Sequence, residues 1–293
     1  MNNSKKILVI GGSGFIGSHT SDILSKNGHK VTILDKVKSP WLRSDQEMIV
    51  ADIMEDKILS ECVKNKDYIY FFGGVSDIGE AILEPYKTIE TNIIGLTKTL
   101  ETAVKLGIKK IIYASTMYVY SSQGSFYRAS KQAAEIIIET YHENFGIDYV
   151  LLRYGSLYGP RSQDWNGIKG FVDQAIEKGF IEYSGNGSEV REYINVLDAA
   201  NLSFKILHED YKNRAVTITG QQSIKVSDMF AMICDIIGKK IDINYLNKNE
   251  HRHHYGSTPY RYTPKPSLKI TPNEFVDLGQ GLLDIIEETY RSK

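Results

Sequence analysis

The sequence predicts an α/β protein with a doubly wound parallel sheet, followed by a smaller α/β substrate-binding region. Three observations support this fold class. Short apolar runs alternate with helical patterns through residues 1–155, a glycine-rich turn follows the first run, and the alternation loosens afterwards. Strands that alternate with helices are typical of a parallel sheet covered by helices on both faces.

Six apolar runs in the first half of the chain are predicted strands. They cover residues 6–10, 30–35, 48–52, 68–72, 109–115 and 148–154. Amphipathic helical patterns lie between or after them, at residues 15–27, 84–106 and 132–145. Apolar side chains at helical spacing form one face that packs on a core, which here is the sheet. We therefore predict a first domain over residues 1–155.

The second half of the chain, residues 156–293, is predicted to form mainly the substrate-binding region and to interleave with the first domain. Helical patterns at residues 170–178, 198–208 and 226–237 mix with short strand patterns at 215–219 and 241–246. The polar, aromatic and proline-containing segment 247–267 is a predicted loop.

The composition excludes several classes of protein. The formal net charge of −1 argues against nucleic acid or an anionic membrane as a partner. The two cysteines have no metal-type spacing, and we expect them to be reduced thiols. No signal peptide precedes the first strand, and no apolar run approaches membrane-spanning length. We therefore predict a cytoplasmic protein.

The turn after the first strand carries a glycine pattern typical of dinucleotide binding. In "ILVIGGSGFIGSH", Gly11, Gly14 and Gly17 lie between a predicted strand and a predicted helix. Glycine permits a tight turn and close approach of the backbone to a pyrophosphate. The helix begins near Gly14, where free N–H groups can face the phosphates. A glycine-rich turn without a ligand is the alternative, but the strand–turn–helix context favours a Rossmann-type nucleotide site.

The second predicted strand ends in Asp35, where an acid can bind an adenosine ribose. A carboxylate accepts hydrogen bonds from the ribose hydroxyls and repels a 2′-phosphate, so Asp35 favours NAD over NADP. Lys36 follows it and could weaken this preference. Asp52 ends the next strand, where it could meet the adenine amino group or cap the helix that follows.

A second site is indicated by the hydroxyl-rich stretch "YASTMYVYSSQGSFYRASK". Tyr127 and Lys131 are four residues apart on a predicted helix, and therefore share one face. Tyrosine, with its usual pKa of about 10, is a poor base at neutrality, but a nearby ammonium favours the phenolate. Ser115 and Thr116 end a strand, where a hydroxyl could hydrogen-bond to a substrate oxygen. The combination favours oxidation of a secondary alcohol.

These motifs together resemble the extended short-chain dehydrogenases, specifically the NAD-dependent epimerase/dehydratase family acting on nucleotide-activated sugars. The resemblance covers nearly the whole chain and rests on "GGSGFIGSH", "TNIIGLTKTLETA", "ASTMYVY", "YRASK", "LRYGSLYGPR" and "REYINVLDAA". It implies that Tyr127 is the catalytic base, Lys131 its partner and Thr116 an assisting hydroxyl. It also implies that Arg191 and Arg261 bind the substrate's diphosphate, a role that suits arginine. For Arg191, a surface ion pair with a neighbouring glutamate is the alternative.

The resemblance also assigns residues around the cofactor. It implies that Asn92 supports the active-site strand and helix, and that residues 154–156 lie against the nicotinamide. The complete set of predicted NAD-binding residues is Gly11, Gly14, Phe15, Ile16, Gly17, Asp35, Lys36, Asp52, Ile53, Phe72, Gly73, Asn92, Ser115, Tyr127, Lys131 and Tyr154.

Two departures from the family pattern affect the expected activity. Only "MYVYSSQGSF" separates Thr116 from Tyr127, which is shorter than usual and opens the sugar site. Dehydratases of the family carry an Asp-Glu pair directly after the threonine, and decarboxylases carry a Glu in this segment. Met117 and Tyr118 stand there instead, so we expect the product to keep its 6-hydroxyl.

The resemblance implies an NAD-dependent epimerase that oxidises a nucleotide-diphosphate sugar, at C4, and then reduces the ketone. A 4-dehydrogenase or a 4-keto-reductase would use the same threonine, tyrosine and lysine. An alternative of another class is a non-catalytic sensor of dinucleotides, which would not need the Tyr–Lys pair. The resemblance also implies a homodimer and a role in polysaccharide biosynthesis. We predict no metal site, because His251, His253 and His254 lack an accompanying cysteine or carboxylate at ligand spacing.

Overall fold

The computed structural model of the protein describes residues 4–246, 254 and 256–260. All six predicted strands of the first half are present within them. Their bounds are β1 (Lys6–Ile10), β2 (Lys30–Asp35), β3 (Gln46–Val50), β4 (Tyr68–Phe71), β5 (Lys110–Thr116) and β6 (Asp148–Tyr154). The strand predicted at 48–52 lies two residues earlier because Ala51 and Asp52 leave the sheet in a turn that Glu55 closes with a backbone hydrogen bond to Asp52.

These strands and one more, β10 (Arg214–Ile218), form a seven-stranded sheet in the order β10-β6-β5-β4-β1-β2-β3. All pairings in this sheet are parallel. The chain builds β1, β2 and β3 towards one edge and then returns to place β4 on the other side of β1. This reversal leaves a crevice at the carboxyl ends of β1 and β4, where doubly wound folds bind ligands. The predicted fold class is confirmed.

The strand pattern at 215–219, in the half of the chain predicted to interleave with the first domain, belongs to the main sheet, where β10 pairs with β6 at the edge. Ile218 is buried among residues of that sheet. The pairing with β6 extends a parallel sheet that is apolar on both of its faces, as is usual when helices cover both sides.

The helices cover both faces of the sheet. Within the described part of the chain they are α1 (Phe15–Lys26), α2 (Asp56–Val63), α3 (Ile78–Leu83), α4 (Pro85–Ile89), α5 (Leu96–Lys105), α6 (Ser125–Phe145), α7 (Gly167–Lys178), α8 (Val196–Lys205) and α9 (Val226–Ile237). One core layer contains Leu8, Phe71 and Leu100, and the layer on the opposite face contains Val9, Tyr70 and Ala199. None of the described helices is both long and apolar enough to cross a membrane.

The helix predicted over 84–106 is interrupted. A π-helical segment at Glu90–Gly95 separates α4 from α5. Gly95 lies so close to Ile53 that a Cβ would come within 2.5 Å of the Ile53 Cδ1 atom. The wider turn also turns Asn92 inward, where its side chain is 1% exposed. Such π-helical turns commonly occur at functional sites.

The smaller region contains a three-stranded sheet of β7 (Ser156–Tyr158), β9 (Val190–Asn195) and β11 (Ser223–Lys225), and a pair formed by β8 (Phe180–Tyr183) and β12 (Asp242–Tyr245). Its own core surrounds Phe230 on α9, which packs edge-on against Phe171 and Tyr183. Most of the predicted loop 247–267 lies outside the described residues. Within it, Ser257 forms a β-bridge with Val190 at the start of β9.

Candidate active site

A cleft with a volume of about 850 Å³ lies at the carboxyl ends of β1, β4, β5 and β6 and extends to β9. It brings together most of the predicted site residues. Those on its wall are Gly11, Gly14, Phe15, Ile16, Gly17, Asp35, Lys36, Ile53, Phe72, Gly73, Ser115, Thr116, Tyr127, Lys131, Tyr154 and Arg191. Asp52 and Asn92 are not on the wall, and Arg261 lies outside the described residues.

The glycine turn between β1 and α1 forms one end of the cleft. Gly11 has a φ of +78°, and a Cβ there would lie 2.5 Å from the Gly73 nitrogen. A Cβ on Gly17 would lie 2.2 Å from the Gly11 oxygen. Larger residues would therefore push apart the turn, the helix and the loop after β4. The close packing leaves a narrow, backbone-lined cradle of the kind that a pyrophosphate needs.

The N-terminus of α1 points its first peptide groups at this cradle. Gly14 is the N-cap, and the first turn contains no acidic side chain. The first N–H groups of a helix lack intrahelical partners and carry partial positive charge. This end of the cleft is therefore suited to phosphate oxygens.

Asp35 ends β2 beside the glycine turn, with its carboxylate fixed by the backbone. The N–H of Ser13 donates to one carboxylate oxygen at 2.9 Å and the N–H of Val37 donates to the other at 3.1 Å. Each oxygen keeps a further lone pair, so the carboxylate can still accept from two vicinal hydroxyls. Together with the phosphate cradle, these groups fit the adenosine half of NAD.

Asp52 does not cap the helix that follows, and its contact with the adenine amino group stays a prediction. Its carboxylate pairs with Lys36 at 2.8 Å and accepts the Met54 N–H at 2.9 Å, while Glu55 is the N-cap of α2. Burial raises the pKa of Asp52, but the hydrogen bonds from Lys36 and Met54 outweigh it, and the pKa lies below its ordinary value. The ion pair also holds the Lys36 ammonium on the edge of the cleft.

Lys131 lies on α6 beneath the middle of the cleft and is 5% exposed. Its ammonium donates to the Ala114 carbonyl at 2.8 Å and lies 4.8 Å from the centre of the Tyr113 ring. Burial lowers its pKa to about 8, and the negative charge of Glu135 opposes this shift. A lysine held in this way keeps its charge at neutral pH and loses it under mildly alkaline conditions.

Tyr127 lies one turn before Lys131 on the same helix and faces the cleft. The Lys131 ammonium is 5.9 Å from the centre of its ring. The ring of Tyr118 packs edge-on against it, with the two centres 6.0 Å apart. Tyr127 and Lys131 therefore lie on the same face of α6, as predicted.

The two hydroxyls at the end of β5 have different surroundings. Ser115 is on the wall of the cleft, and its hydroxyl donates its hydrogen to Glu135 at 2.5 Å. Thr116 accepts the Tyr118 N–H at 3.3 Å and, within the described residues, donates to no protein group. The Thr116 hydroxyl is therefore the one at this strand end that can donate to a substrate oxygen.

A buried charge pair behind the site was not predicted from the sequence. Glu135 pairs through both carboxylate oxygens with Arg153, at 3.0 and 2.6 Å. Arg153 also donates to the Tyr120 hydroxyl and lies over the Tyr120 ring. This network ties α6 to β5 and β6 around Lys131. In the local sequence, only the four-residue spacing of Lys131 and Glu135 indicated this network.

Asn92 acts as a clamp rather than as part of the wall. Its amide accepts the Val75 N–H at 2.8 Å and donates to the Val75 carbonyl at 2.9 Å and the Ser130 hydroxyl at 2.9 Å. Ser130 in turn donates to the Tyr127 carbonyl at 2.8 Å. The amide thus fixes the loop after β4 against α6, the supporting role that was predicted for it, while its contact with the cofactor stays a prediction.

Tyr154, at the end of β6, is on the wall, but its hydroxyl is bonded to Ser203 at 2.5 Å. Burial raises its pKa, and the Ser203 hydrogen bond lowers it only in part. Tyr154 therefore contributes a neutral ring edge to the cleft.

Arg191 lies on β9, on the wall of the cleft. It donates to the carbonyls of Val190 at 3.1 Å and Gly256 at 3.2 Å. These contacts hold the guanidinium against the segment 256–260, and its place on the wall suits binding of an anionic group. No cluster of potential metal ligands occurs in the described part of the chain, where His254 is a partner of Tyr118. His251 and His253 lie outside it.

Comparison with known proteins supports the reading of the cleft. Residues 7–219 match the model of the NAD-dependent epimerase/dehydratase family. The chain is 31% identical to a protein of Methanocaldococcus jannaschii named "Putative UDP-glucose 4-epimerase", over 83% of this chain and 86% of that protein. It is 27% identical to a UDP-N-acetyl-α-D-glucosaminuronate decarboxylase of Bacillus cytotoxicus, over 97% of both chains.

The fold is likewise shared with solved structures. A UDP-N-acetylglucosamine 4-epimerase from Methanobrevibacter ruminantium, solved with UDP-N-acetylmuramic acid, superposes with a TM-score of 0.80. The two sequences are 26% identical, and the match covers 89% of this chain and 90% of the other.

The position of Asp35 leads to a test of cofactor choice. We expect NAD to bind at least about tenfold more tightly than NADP, because the carboxylate would face the 2′-phosphate as a like charge. Asp35→Ser should narrow this difference, whereas Asp45→Ser, an exposed acid before β3, should leave it unchanged. Dissociation constants from titration calorimetry measure both effects. Equal or tighter NADP binding by the unaltered protein would contradict the assignment.

The burial of Lys131 leads to a test of pH dependence. If turnover needs the ammonium, kcat/KM should fall as the pH rises through about 8, the pKa of Lys131 in the folded protein. Glu135 is the acid that opposes the shift, and the phenols of Tyr113 and Tyr127 also face the amine. Glu135→Gln should lower the Lys131 pKa further and move the falling limb to lower pH.

Glu139→Gln, one helical turn further along α6, is the matched control and should leave the pH at which kcat/KM falls unchanged. Thermal melts of both variants at each pH separate a change in titration from a loss of fold. If kcat/KM of a folded Glu135→Gln variant fell at the same pH as in the unaltered protein, the proposed effect of Glu135 on the Lys131 pKa would be refuted.

Proposed function

We propose that this chain, which belongs to the NAD-dependent epimerase/dehydratase family, is a UDP-sugar 4-epimerase. The observation that carries the proposal is the meeting of Thr116, Tyr127 and Lys131 in one cleft with the glycine cradle and Asp35. Bound NAD would supply the two-electron oxidation of a ring alcohol and its reversal. The glycine turn, the N-terminus of α1 and Asp35 would hold its adenosine and phosphates.

The chain's own groups move and hold the proton. Tyr127, as phenolate, accepts the proton of the sugar hydroxyl as that oxygen becomes a ketone. Thr116 donates a hydrogen bond to the same oxygen and fixes its position. The Lys131 ammonium, buried nearby, stabilises the negative charge on the Tyr127 oxygen. In the reverse step Tyr127 returns the proton, so a sugar that has turned its other face yields the C4 epimer.

UDP is the favoured nucleotide because the relatives described above are named for UDP-sugars. Arg191, on the wall of the cleft, would bind the diphosphate, since an arginine can contact two phosphate oxygens at once. Such a reaction interconverts sugar donors that serve polysaccharide assembly.

Loss of water or of a carboxyl group is disfavoured at this site. Met117, directly after Thr116, is fully buried and carries no titratable group. Tyr118 is on the wall, but its hydroxyl is bonded to His254. Neither position supplies the carboxyl acid that protonation of a leaving hydroxide requires.

We further infer that the protein works as a homodimer in the cytoplasm. Ile94 and Ile136, on neighbouring helical segments outside the cleft, are 47% and 63% exposed. Exposed aliphatic side chains on adjacent helices suit a two-fold helical interface. Cys62 and Cys234 are free thiols, as expected of a reducing compartment.

The proposed function is tested by a screen of nucleotide sugars. We expect incubation with NAD and a UDP-sugar to give the C4 epimer without loss of mass, which NMR and mass spectrometry of the products detect. GDP- and CDP-sugars serve as comparisons. Tyr127→Phe should lower turnover by roughly two orders of magnitude or more while NAD binding persists. Tyr141→Phe, on the same helix, is the control.

Near-normal turnover of Tyr127→Phe would overturn the role of this residue. A product lighter by one water would overturn the choice of epimerisation over dehydration. Accumulation of a 4-keto sugar with reduced cofactor would identify a dehydrogenase instead.

The dimer is tested by light scattering. Ile136→Glu should convert a species of twice the chain mass into one of 33.1 kDa. Ile176→Glu on α7 changes a residue of the same 63% exposure and should leave the mass unchanged. A monomeric wild-type protein would refute the proposal.

A further inference from the structure

Two opposite charges stand side by side next to the proposed ribose site. Asp35 ends β2, and Lys36 follows it directly on the wall of the same cleft. An acid at this place binds the ribose hydroxyls of NAD, whereas a basic side chain near it accommodates the 2′-phosphate of NADP. The two neighbours therefore favour opposite cofactors, and the position of the Lys36 ammonium decides how far it weakens the effect of Asp35.

The Lys36 ammonium is bound by Asp52, two residues beyond the end of β3. Lys36 Nζ and Asp52 Oδ2 lie 2.8 Å apart. Within the part of the chain that the structure describes, this is the only ion pair that Lys36 makes. Asp52 itself is not among the residues that line the cleft. The ammonium is thus held by an acid that stands outside the cleft wall.

The Asp52 carboxylate is fixed by the turn in which it lies. Its second oxygen accepts the Met54 N–H at 2.9 Å. The Ala51 N–H donates to the Asp35 carbonyl at 2.9 Å, which ties the same turn to the end of β2. The carboxylate that holds the lysine therefore has a set position relative to Asp35.

A second ammonium near this carboxylate, that of Lys98, has partners of its own. It pairs with Asp56 at 2.6 Å and donates to the Met54 carbonyl at 2.7 Å. Its effect on Asp52 is through charge alone. Lys36 is therefore the cation that is hydrogen-bonded to Asp52.

The ion pair can be changed without loss of the fold. The side chains of Lys36 and Asp52 are 57% and 34% exposed, and exposed ion pairs contribute little to folding stability. Lysine carries its ammonium on a flexible stem of four carbons, so the charge can turn to another anion when its first partner is removed. The main consequence of the pair is therefore where it keeps the positive charge.

We propose that Asp52 holds the Lys36 ammonium away from the ribose 2′ position and so helps the protein to reject NADP. Asp35 acts on the cofactor directly, as an acceptor for hydroxyls and as a like charge for a 2′-phosphate. Asp52 acts through Lys36, by occupying the cation that would otherwise pair with that phosphate. Asp52 is thus a positioning residue for cofactor choice. This role rests on the proposed binding of the ribose at Asp35 and is independent of the sugar on which the protein acts.

A double-mutant cycle on cofactor binding tests the proposal. Titration calorimetry gives the dissociation constants of NAD and NADP for the unaltered protein, Asp52→Asn, Lys36→Gln and the double variant. Asp52→Asn should lower the ratio of the NADP constant to the NAD constant about tenfold, because the released ammonium can pair with the 2′-phosphate. In the Lys36→Gln background the same substitution should change this ratio less than about twofold, since no ammonium is left to release.

Two further variants control for charge and for structure. Asp148→Asn also removes one acid from a 2.8 Å pair, that with Lys212, but Asp148 begins β6 at the edge of the sheet opposite the cleft. It should leave the ratio unchanged. Asp52→Glu keeps a carboxylate near the lysine and should keep the preference for NAD. Thermal melts confirm that each variant is folded.

Three results would overturn the proposal. The first is an unchanged ratio in folded Asp52→Asn. The second is an equal change in both Lys36 backgrounds, which would mean that Asp52 repels the phosphate directly. The third is an equal loss of affinity for NAD and NADP, which would mean that Asp52 contacts the adenine and leaves cofactor choice unaffected. Epimerisation is measured separately by the sugar screen, so each of these results leaves the proposed reaction standing.

Discussion

The burial of the Lys131 ammonium is the constraint on which the active site depends. A charged amine at 5% exposure needs compensation, and it finds the Ala114 carbonyl, the Tyr113 ring and the nearby charge of Glu135. The carbonyl and the ring belong to β5, so α6 must lie flat against that strand. Glu135 must itself be compensated, which Arg153 from β6 does. One buried charge thus orders two strands and a helix, and the same packing brings Tyr127 to the end of β5 beside Thr116.

The sheet supplies the other half of the site through its topology. Because all seven strands are parallel, their carboxyl ends form one edge, and the reversal between β1 and β4 opens it. Because residues 11 and 17 are glycines, β1 and α1 pack closely on each other and on the loop after β4. A Cβ atom at either position would collide with the backbone of its neighbour. The result is a cleft whose wall brings together the glycine turn, Thr116, Tyr127, Lys131 and Arg191.

The sequence predicted the parts of this arrangement that local patterns determine. The strands β1, β2 and β6 have the predicted bounds, because each is a short and mainly apolar run. The glycine turn, Asp35 and the spacing of Tyr127 and Lys131 are likewise local. What could not be predicted depends on contacts between distant residues. The π-helical turn at Asn92 lies where Gly95 packs closely on Ile53, and β10 joins the main sheet through its pairing with β6. Tyr118 and His254 are 136 residues apart, and no periodicity links them.

We propose that one centre, with Thr116, Tyr127 and Lys131 around the reacting oxygen, serves both oxidation and reduction at the same carbon before the sugar leaves. The most direct measurement uses a UDP-sugar that carries deuterium at C4, incubated with the protein and an excess of unlabelled NAD. NMR and mass spectrometry of the recovered sugars then locate the label. We predict that the C4 epimer keeps its deuterium at C4. Loss of the label from the epimer, or its recovery in free reduced cofactor beside a 4-keto sugar, would contradict the account.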